Sequence, residues 1–401
     1  MMQVITDKDK CINCGYCREA IACAGENSCT GCGACVDACP QNARHLIKIE
    51  EEITTVNCVI DGCKVQVPGK GTVLKVLESL GYSITRFPES NSIFAPCRTG
   101  SCWSCAVLIN ERLAPSCITS IQEGMIIQTK VEQETPRRLV SGFQPHMVGG
   151  VGTPKNLVSS SSMGYLEVAC FAAGCLYRCS TCQNWQLTYS SRRHPSLPEE
   201  AAHRLTTIRK RYRVDRMAIS GGESTLNRNW LVNFVRALKK NNPDEQARIH
   251  VDTNAAILTS DYIDELIEAG MTDIGPDLKG IHLDTFMKIT QIYNKPLAQK
   301  YLETSWNAVK YILDTYMDSL FLGIGIPYNR ALISLEEVQE IGQSLERLSP
   351  DIQVTVLDYR PEFRAQYLER PSYQEMIEVK EILNAVGLKQ VICQTTQGHI
   401  R

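Results

Sequence analysis

Cysteine spacing constrains this chain more than any other feature. The 401 residues hold 19 cysteines, and they fall in groups. Eight lie between Cys11 and Cys39, and two at Cys58 and Cys63. Four form a set at Cys97, Cys102, Cys105 and Cys117, and four more run from Cys170 to Cys182. Cys393 stands alone near the end. A secreted disulfide scaffold can carry such a density, but those scaffolds are short. The N-terminus, MMQVITDKDKCINC, has no apolar leader segment. Clustered cysteines in a long chain of that kind are expected to bind metal. The length calls for two or three domains. The 42 Lys+Arg nearly balance the 44 Asp+Glu, for a net charge of −2, which argues against a nucleic-acid partner held by phosphate attraction. No run of 18 apolar residues occurs, so no membrane-spanning helix is expected.

The first cysteine group repeats. CINCGYC and CTGCGAC are offset by 18 residues, so Cys11, Cys14 and Cys17 map onto Cys29, Cys32 and Cys35. Each triplet has C-x2-C-x2-C spacing, and Cys23 and Cys39 follow as fourth cysteines. The run from Cys29 through Cys39 to Pro40 is the bacterial ferredoxin signature. Residues 1–49 therefore resemble a two-cluster 4Fe–4S ferredoxin. The resemblance implies crossed pairing, with Cys11, Cys14, Cys17 and Cys39 on one cluster. Cys29, Cys32, Cys35 and Cys23 would hold the other. The first half departs from the pattern, because Ala24 stands where the proline is expected. Zinc is the alternative, since C-x2-C pairs serve it too.

Residues 50–131 read as a second module. TTVNCVIDGCKVQVP alternates like a hairpin around Asp61–Gly62, and TVLKVLESLG reads as a helix stopped at Gly81. AVLIN and MIIQT read as later strands. Hairpin, helix and further strands is the order of a β-grasp domain. Cys97-x4-Cys102-x2-Cys105 is plant-type 2Fe–2S spacing. With Cys117 eleven residues on, the module resembles the 2Fe–2S domain of succinate dehydrogenase iron–sulfur subunits. Cys58 and Cys63 lie outside that pattern and read as structural thiols. Residues 132–163 are rich in Pro, Gly and Ser and read as a linker.

From residue 164 the rhythm changes to alternating strands and helices. Six βα units follow one another, which predicts a (β/α)6 partial TIM barrel over 164–401. Capping signals include Ser196 with Glu199, and Ser260. In such folds the chemistry sits at the C-terminal ends of the strands. There, after the first strand, stands Cys175-x3-Cys179-x2-Cys182, and after the second, Gly221-Gly222-Glu223. These motifs resemble those of radical S-adenosylmethionine (radical SAM) enzymes. The resemblance implies a third 4Fe–4S cluster held by three cysteines, with its open iron chelating S-adenosylmethionine. Reduction would release a 5′-deoxyadenosyl radical. Gly221, Gly222 and Glu223 would contact the methionine end.

YRCSTCQNW, HVDTN and DLKG, in that order, resemble pyruvate formate-lyase activating enzyme and its relatives. That likeness implies that Asp252, Thr253 and Asp277 bind a monovalent cation beside the S-adenosylmethionine carboxylate. Asx-turn capping is the alternative for these three. The residue before the third cysteine, aromatic in that group, is Thr181 here, which leaves Trp185 as a candidate for the adenine. Cys170 and Cys393 read as buried thiols. The tail 358–371 reads either as a substrate mouth or as a solvated loop.

The expected function is thus reductive cleavage of S-adenosylmethionine for hydrogen abstraction, fed by three ferredoxin-type clusters and an external low-potential donor. A protein or peptide substrate is expected, with glycyl-radical generation as one form. No nucleic acid or membrane partner is expected, and oxygen-sensitive clusters point to a reducing cytoplasm. Chemistry on a small molecule is one alternative. An electron-transfer protein without catalysis is another.

Overall fold

The computed structural model describes residues 2–23, 25, 28–50, 54–148, 151–155 and 165–401. Ala24, and residues 149–150 and 156–163 of the sequence-defined linker, lie outside the described residues. The chain divides into two compact units. One comprises residues 1–140, 172–176 and 184–197, and the other 141–171, 177–183 and 198–401.

In the first unit, β1 (Met2–Thr6) pairs antiparallel with β2 (Arg44–Lys48). Between them lie two single-turn helices, α1 (Tyr16–Glu19) and α2 (Ala34–Asp37). So little secondary structure cannot bury a core, and a domain of this size needs a metal to hold it. Next come β3 (Thr55–Ile60) and β4 (Cys63–Pro68). They pair antiparallel, with Asp61 and Gly62 both at positive φ in the turn, as a two-residue hairpin with right-handed twist requires. Helix α3 (Val73–Ser79) is capped by the Thr72 hydroxyl, which accepts from Lys75 N. A two-stranded pair, β5 (Ile84–Thr85) and β6 (Ile93–Phe94), follows. Then β7 (Ala106–Ile109), β8 (Arg112–Pro115) and β9 (Ile126–Gln128) complete a five-stranded mixed sheet of order β4-β3-β9-β7-β8. Ile60, Val67, Val73, Leu77, Val107 and Ile127 form its core, and Cys58 is buried among them. Cys63 is exposed.

The nine-stranded sheet runs in sequential order. It begins with β10 (Val140–Val148) and β11 (Tyr165–Ala172). After the single turn α4 (Trp185–Thr188) come α5 (Pro198–Tyr212), β12 (Arg216–Gly221), α6 (Arg228–Asn241), β13 (Arg248–Thr253), α7 (Ser260–Ala269) and β14 (Asp273–Pro276). Helices α8 (Leu283–Thr290) and α9 (Lys295–Tyr316) precede β15 (Phe321–Tyr328). Then follow α10 (Leu335–Leu348), β16 (Gln353–Asp358), α11 (Tyr373–Ala385), β17 (Gln390–Thr395) and β18 (Gly398–Ile400). Strands β12 to β17 are parallel, neighbour to neighbour, and β18 turns back antiparallel. Strands β12 to β17 are largely buried, as helix-covered parallel strands must be.

Several expectations change here. The sheet has nine strands where the sequence pattern showed six. Val140–Val148, inside the segment read as linker, is a strand at the end of the sheet order. Its Gly142 and Pro145 read as loop punctuation, yet a proline is tolerated on an edge strand. Residues 151–155 are no free linker either. Arg216 Nη1 donates to Thr153 Oγ1 at 2.7 Å, and Gln353 Nε2 donates to the Thr153 carbonyl at 2.7 Å. The Gln353 amide oxygen accepts from Lys155 N. Glycines at 275, 323 and 325 leave room for Val151 and Gly152 on the sheet face that also carries Asp252 and Asp277. Gly325→Val should therefore force a side chain into Val151 and the Asp277 carboxylate. Overpacking of this kind costs about 1–3 kcal/mol, and a lower denaturation midpoint at equal iron content would show it. An unchanged midpoint would mean that 151–155 moves aside without loss. Among the caps, Thr259 rather than Ser260 is the N-cap of α7, and α5 starts at Pro198 while Ser196 pairs its backbone with Arg138.

Candidate active site and iron–sulfur ligand sets

The first eight cysteines separate into two sets. Cys11, Cys14, Cys17 and Cys39 line one cavity of about 700 Å³. Cys23, Cys29, Cys32 and Cys35 lie within electrostatic range of one another. Backbone amides point at the sulfurs: Gly25 N at Cys23, Gly31 N at Cys29, and Ala43 N at Cys39. Such donors stabilise a thiolate-bound cluster. Among the described residues, no three His, Cys, Asp or Glu side chains converge tightly enough to hold a single metal ion.

Cys97, Cys102, Cys105 and Cys117 are all buried, each at most 3% exposed. The Cys97 and Cys102 sulfurs lie 3.1 Å apart, and Cys117 bonds to both Cys105 and Cys97. Four buried thiols linked in this way, with Cys105 and Cys117 packed on Leu74 and Ala95, fit a compact 2Fe–2S centre.

Cys175 belongs to the first unit. Gly174 N donates to the Thr188 carbonyl, and Arg86 Nη2 donates to the Leu176 carbonyl at 2.8 Å, so the chain on both sides of Cys175 is fixed. Cys179 and Cys182 belong to the second unit. The Ser180 carbonyl between them accepts from Arg364 N and Ala365 N. Tyr359, Phe363, Ala365 and Leu368 are buried, so the tail 358–371 is a packed element. Burial pushes the Cys179 thiol up to about 12, against the pull of Lys279. A thiol ligand must lose its proton, so cluster assembly here releases one, driven by the iron charge.

Strands β12, β13 and β14 bring the other sequence-chosen residues together. Glu223 follows Gly221 and Gly222 and is buried. Its Oε1 accepts from Thr225 N, Thr225 Oγ1 and Thr253 Oγ1, and its Oε2 accepts from Asn254 N at 2.7 Å. The carboxylate thus ties the end of β12 to the end of β13, and Thr253 spends its hydroxyl on Glu223 and Ala255 N. Asp252 pairs with His250 Nε2 at 2.6 Å. Burial raises the Asp252 pKa, but His250, Arg216 and Ser220 outweigh it and hold the carboxyl below its ordinary range. Asp277 N donates to the Thr253 carbonyl, which sets Asp277 at the same edge.

Two residues without a role in the sequence reading join them. Lys279 Nζ lies 3.1 Å from Asp277 Oδ2 and donates to Tyr359 Oη at 2.7 Å. Burial disfavours the ammonium, but Asp277, Tyr359 and Cys179 together hold the Lys279 pKa well above its ordinary value. Asp277 Oδ1 is buried with no partner. That orphan oxygen fits a cation or a ligand amine, though any cation must share the carboxylate with Lys279. The DLKG stretch displayed Lys279 in the sequence, but nothing there pointed to Tyr359, 80 residues away. The Trp185 ring meets Tyr16 edge-on at 4.8 Å in the first unit. Cys170 and Cys393 are fully buried in strands, and burial pushes the Cys393 thiol up to about 12.

Family comparisons match these three regions. Residues 170–334 match the radical SAM superfamily, 54–132 a 2Fe–2S iron–sulfur cluster binding domain, and 25–45 a 4Fe–4S binding domain. The chain carries a radical SAM domain. The 4Fe–4S match covers the second triplet of the first module and leaves Cys11, Cys14, Cys17 and Cys23 outside it. Among curated proteins, an uncharacterized iron–sulfur protein of Methanocaldococcus jannaschii is 33% identical over 96 residues, which is 24% of this chain and 19% of that protein. A second, from Methanococcus maripaludis, is 28% identical over 89 residues, 22% of this chain and 18% of that one. The chain thus spans about a fifth of the length of the curated relatives it matches. Among solved structures, SuiB of Streptococcus suis aligns over 55% of this chain and 47% of its own, at 15% identity and a TM-score of 0.41. Coproporphyrinogen III oxidase of Escherichia coli, described as a radical SAM enzyme, aligns over 47% and 43%, at 13% identity and a TM-score of 0.35. No described helix of this chain is long and apolar enough to cross a membrane.

Proposed function

We propose that this radical SAM protein reductively cleaves S-adenosylmethionine and abstracts hydrogen from a protein or peptide, in the manner of the activating enzymes. One observation carries the reading. The end of the second strand, Glu223, is locked to the end of the third, Thr253 and Asn254, beside Asp277, whose orphan oxygen faces no protein donor. This edge lies one βα unit downstream of Cys175-x3-Cys179-x2-Cys182.

Cys175, Cys179 and Cys182 would hold a 4Fe–4S cluster with one open iron, which when reduced supplies the electron that splits the sulfonium. Glu223 and Asp277 offer carboxylate oxygens to a ligand amine or a monovalent cation. Lys279, kept charged by Asp277 and Tyr359, offers an ammonium to a carboxylate. The mixed sheet order of 55–128 supports a β-grasp 2Fe–2S domain, and the parallel run β12–β17 supports a partial barrel. The two cysteine sets of residues 11–39 support two further 4Fe–4S clusters. Electrons would enter from an external low-potential donor in a reducing cytoplasm.

The test is anaerobic. Protein with reconstituted clusters, reduced by dithionite in the presence of S-adenosylmethionine, should release 5′-deoxyadenosine. No release from protein of full iron content would overturn the reading. The substrate class would be tested by mass analysis of host proteins captured under the same conditions, where a changed peptide residue is expected.

A further inference from the structure

We propose that the 2Fe–2S centre of Cys97, Cys102, Cys105 and Cys117 is the immediate electron donor to the cluster of Cys175, Cys179 and Cys182, across a contact between Cys102 and Gly174. The proposal rests on the radical SAM reading above and adds the order of the relay and the residues that make it.

The contact is between backbones. Gly174 has φ +87°, and a Cβ built on it would lie 2.8 Å from Cys102 Cβ and 2.9 Å from Cys102 N. Only a residue without a Cβ fits there, on both conformational and steric grounds. Gly174 is bonded directly to Cys175, so one peptide unit separates a 2Fe–2S ligand's neighbour from a ligand of the catalytic cluster. The contact is held on both sides by Gly174 N to Thr188 O and by Arg86 Nη2 to Leu176 O. Cys102 is fully buried, so no water layer intervenes on its side.

The same unit supplies the step before. Lys75 Nζ donates to the Gly31 carbonyl at 2.6 Å, and Gly31 lies between Cys29 and Cys32. The adjacent Leu74 packs on Cys105 and Cys117. The set of Cys23, Cys29, Cys32 and Cys35 is thereby docked on the helix that covers the 2Fe–2S pocket. A competing exit exists. Tyr16, next to Cys17, donates its hydroxyl to the Gln186 carbonyl at 2.7 Å and meets the Trp185 ring, three residues past Cys182. That exit runs through the Tyr16 and Trp185 side chains, whereas the Cys102–Gly174 contact joins a 2Fe–2S ligand residue directly to the neighbour of Cys175.

The electron balance is simple. One electron leaves the reduced 2Fe–2S centre, which is oxidised, and reduces the catalytic 4Fe–4S cluster by one. An external one-electron reductant, dithionite in the test, refills the chain, and no proton or atom is transferred.

The experiment reads cluster spins rather than turnover. In reduced, fully loaded protein, the 2Fe–2S electron paramagnetic signal should relax faster than in Cys179→Ala, which retains the ferredoxin-type clusters and lacks the catalytic one. Equal relaxation in the two would overturn the proposal. Rapid-freeze sampling after mixing with reductant then tests the path. The catalytic cluster is told from the other cubanes by its spectral change on adding S-adenosylmethionine. Gly174→Val should lose the fast phase of its reduction while the 2Fe–2S signal still appears on time. Tyr16→Phe should keep that phase. The opposite pattern would assign the exit to Tyr16 and Trp185 and overturn the proposal. Should Gly174→Val fail to fold, the relaxation comparison decides alone. Failure of the relay leaves slow dithionite-driven release of 5′-deoxyadenosine intact, whereas failure of the radical SAM reading removes that release altogether.

Discussion

Cys179→Ala is expected to reduce 5′-deoxyadenosine release to the protein-free background and to lower the iron content by about four atoms per chain, the size of one 4Fe–4S cluster. The physical reason is the number of ligands. A cluster with three protein ligands and one open iron has no spare thiolate, so losing one leaves two corners unheld. Cys170, the nearest other cysteine in sequence, is fully buried on β11, where its thiol cannot swing into the loop. Visible absorption of the 2Fe–2S centre should persist, because Cys97, Cys102, Cys105 and Cys117 sit in their own apolar pocket. Iron analysis and product chromatography on matched anaerobic preparations make the measurement. Wild-type release from the variant would sink the assignment of this loop.

The second large effect concerns stability. Asp273→Ala should destabilise the sheet unit by about 3–5 kcal/mol, the cost of removing one partner from a buried charge pair. Asp273 is fully buried on β14, and its Oδ2 lies 3.1 Å from Arg216 Nε and 2.9 Å from Arg248 Nε. Arg216 is itself fully buried and pairs with Glu167 Oε2 at 2.9 Å. Glu167 in turn meets His146 at 3.3 Å. Without Asp273, Arg216 and Arg248 lose the carboxylate they share, and Glu167 still pairs with Arg216. The guanidinium cannot escape by losing its proton. A denaturation midpoint lowered at constant slope, compared at equal iron content, would carry the result. A shift below about 1 kcal/mol would mean that water enters and screens the pair.

The two expectations differ in how visible they were. Cys179 stood in a local motif, because three ligands of one cluster supplied by a single loop are close in sequence. The same holds for Gly221-Gly222-Glu223, where one strand end supplies the whole segment. The helices and central strands were legible too, since their apolar periodicity is local. Asp273 was not singled out, because DIGPDL gives no sign that its first residue meets arginines from β12 and β13. Val140–Val148 was hidden for a related reason: only a neighbouring strand turns a segment with Gly142 and Pro145 into part of a sheet.

By itself the sequence determined which residues could be ligands, how many sets they form, and that a βα array follows them. Ligand spacing and strand period are properties of a chain within a few residues of itself. Tertiary structure alone decided what those residues meet. It set Lys279 between Asp277 and Tyr359, seated residues 151–155 on glycines of β14 and β15, locked Glu223 onto Thr253 and Asn254, and pressed Gly174 against Cys102. Apart from the Lys279–Asp277 pair, each of these joins positions 30 or more residues apart, where no local rule of spacing reaches.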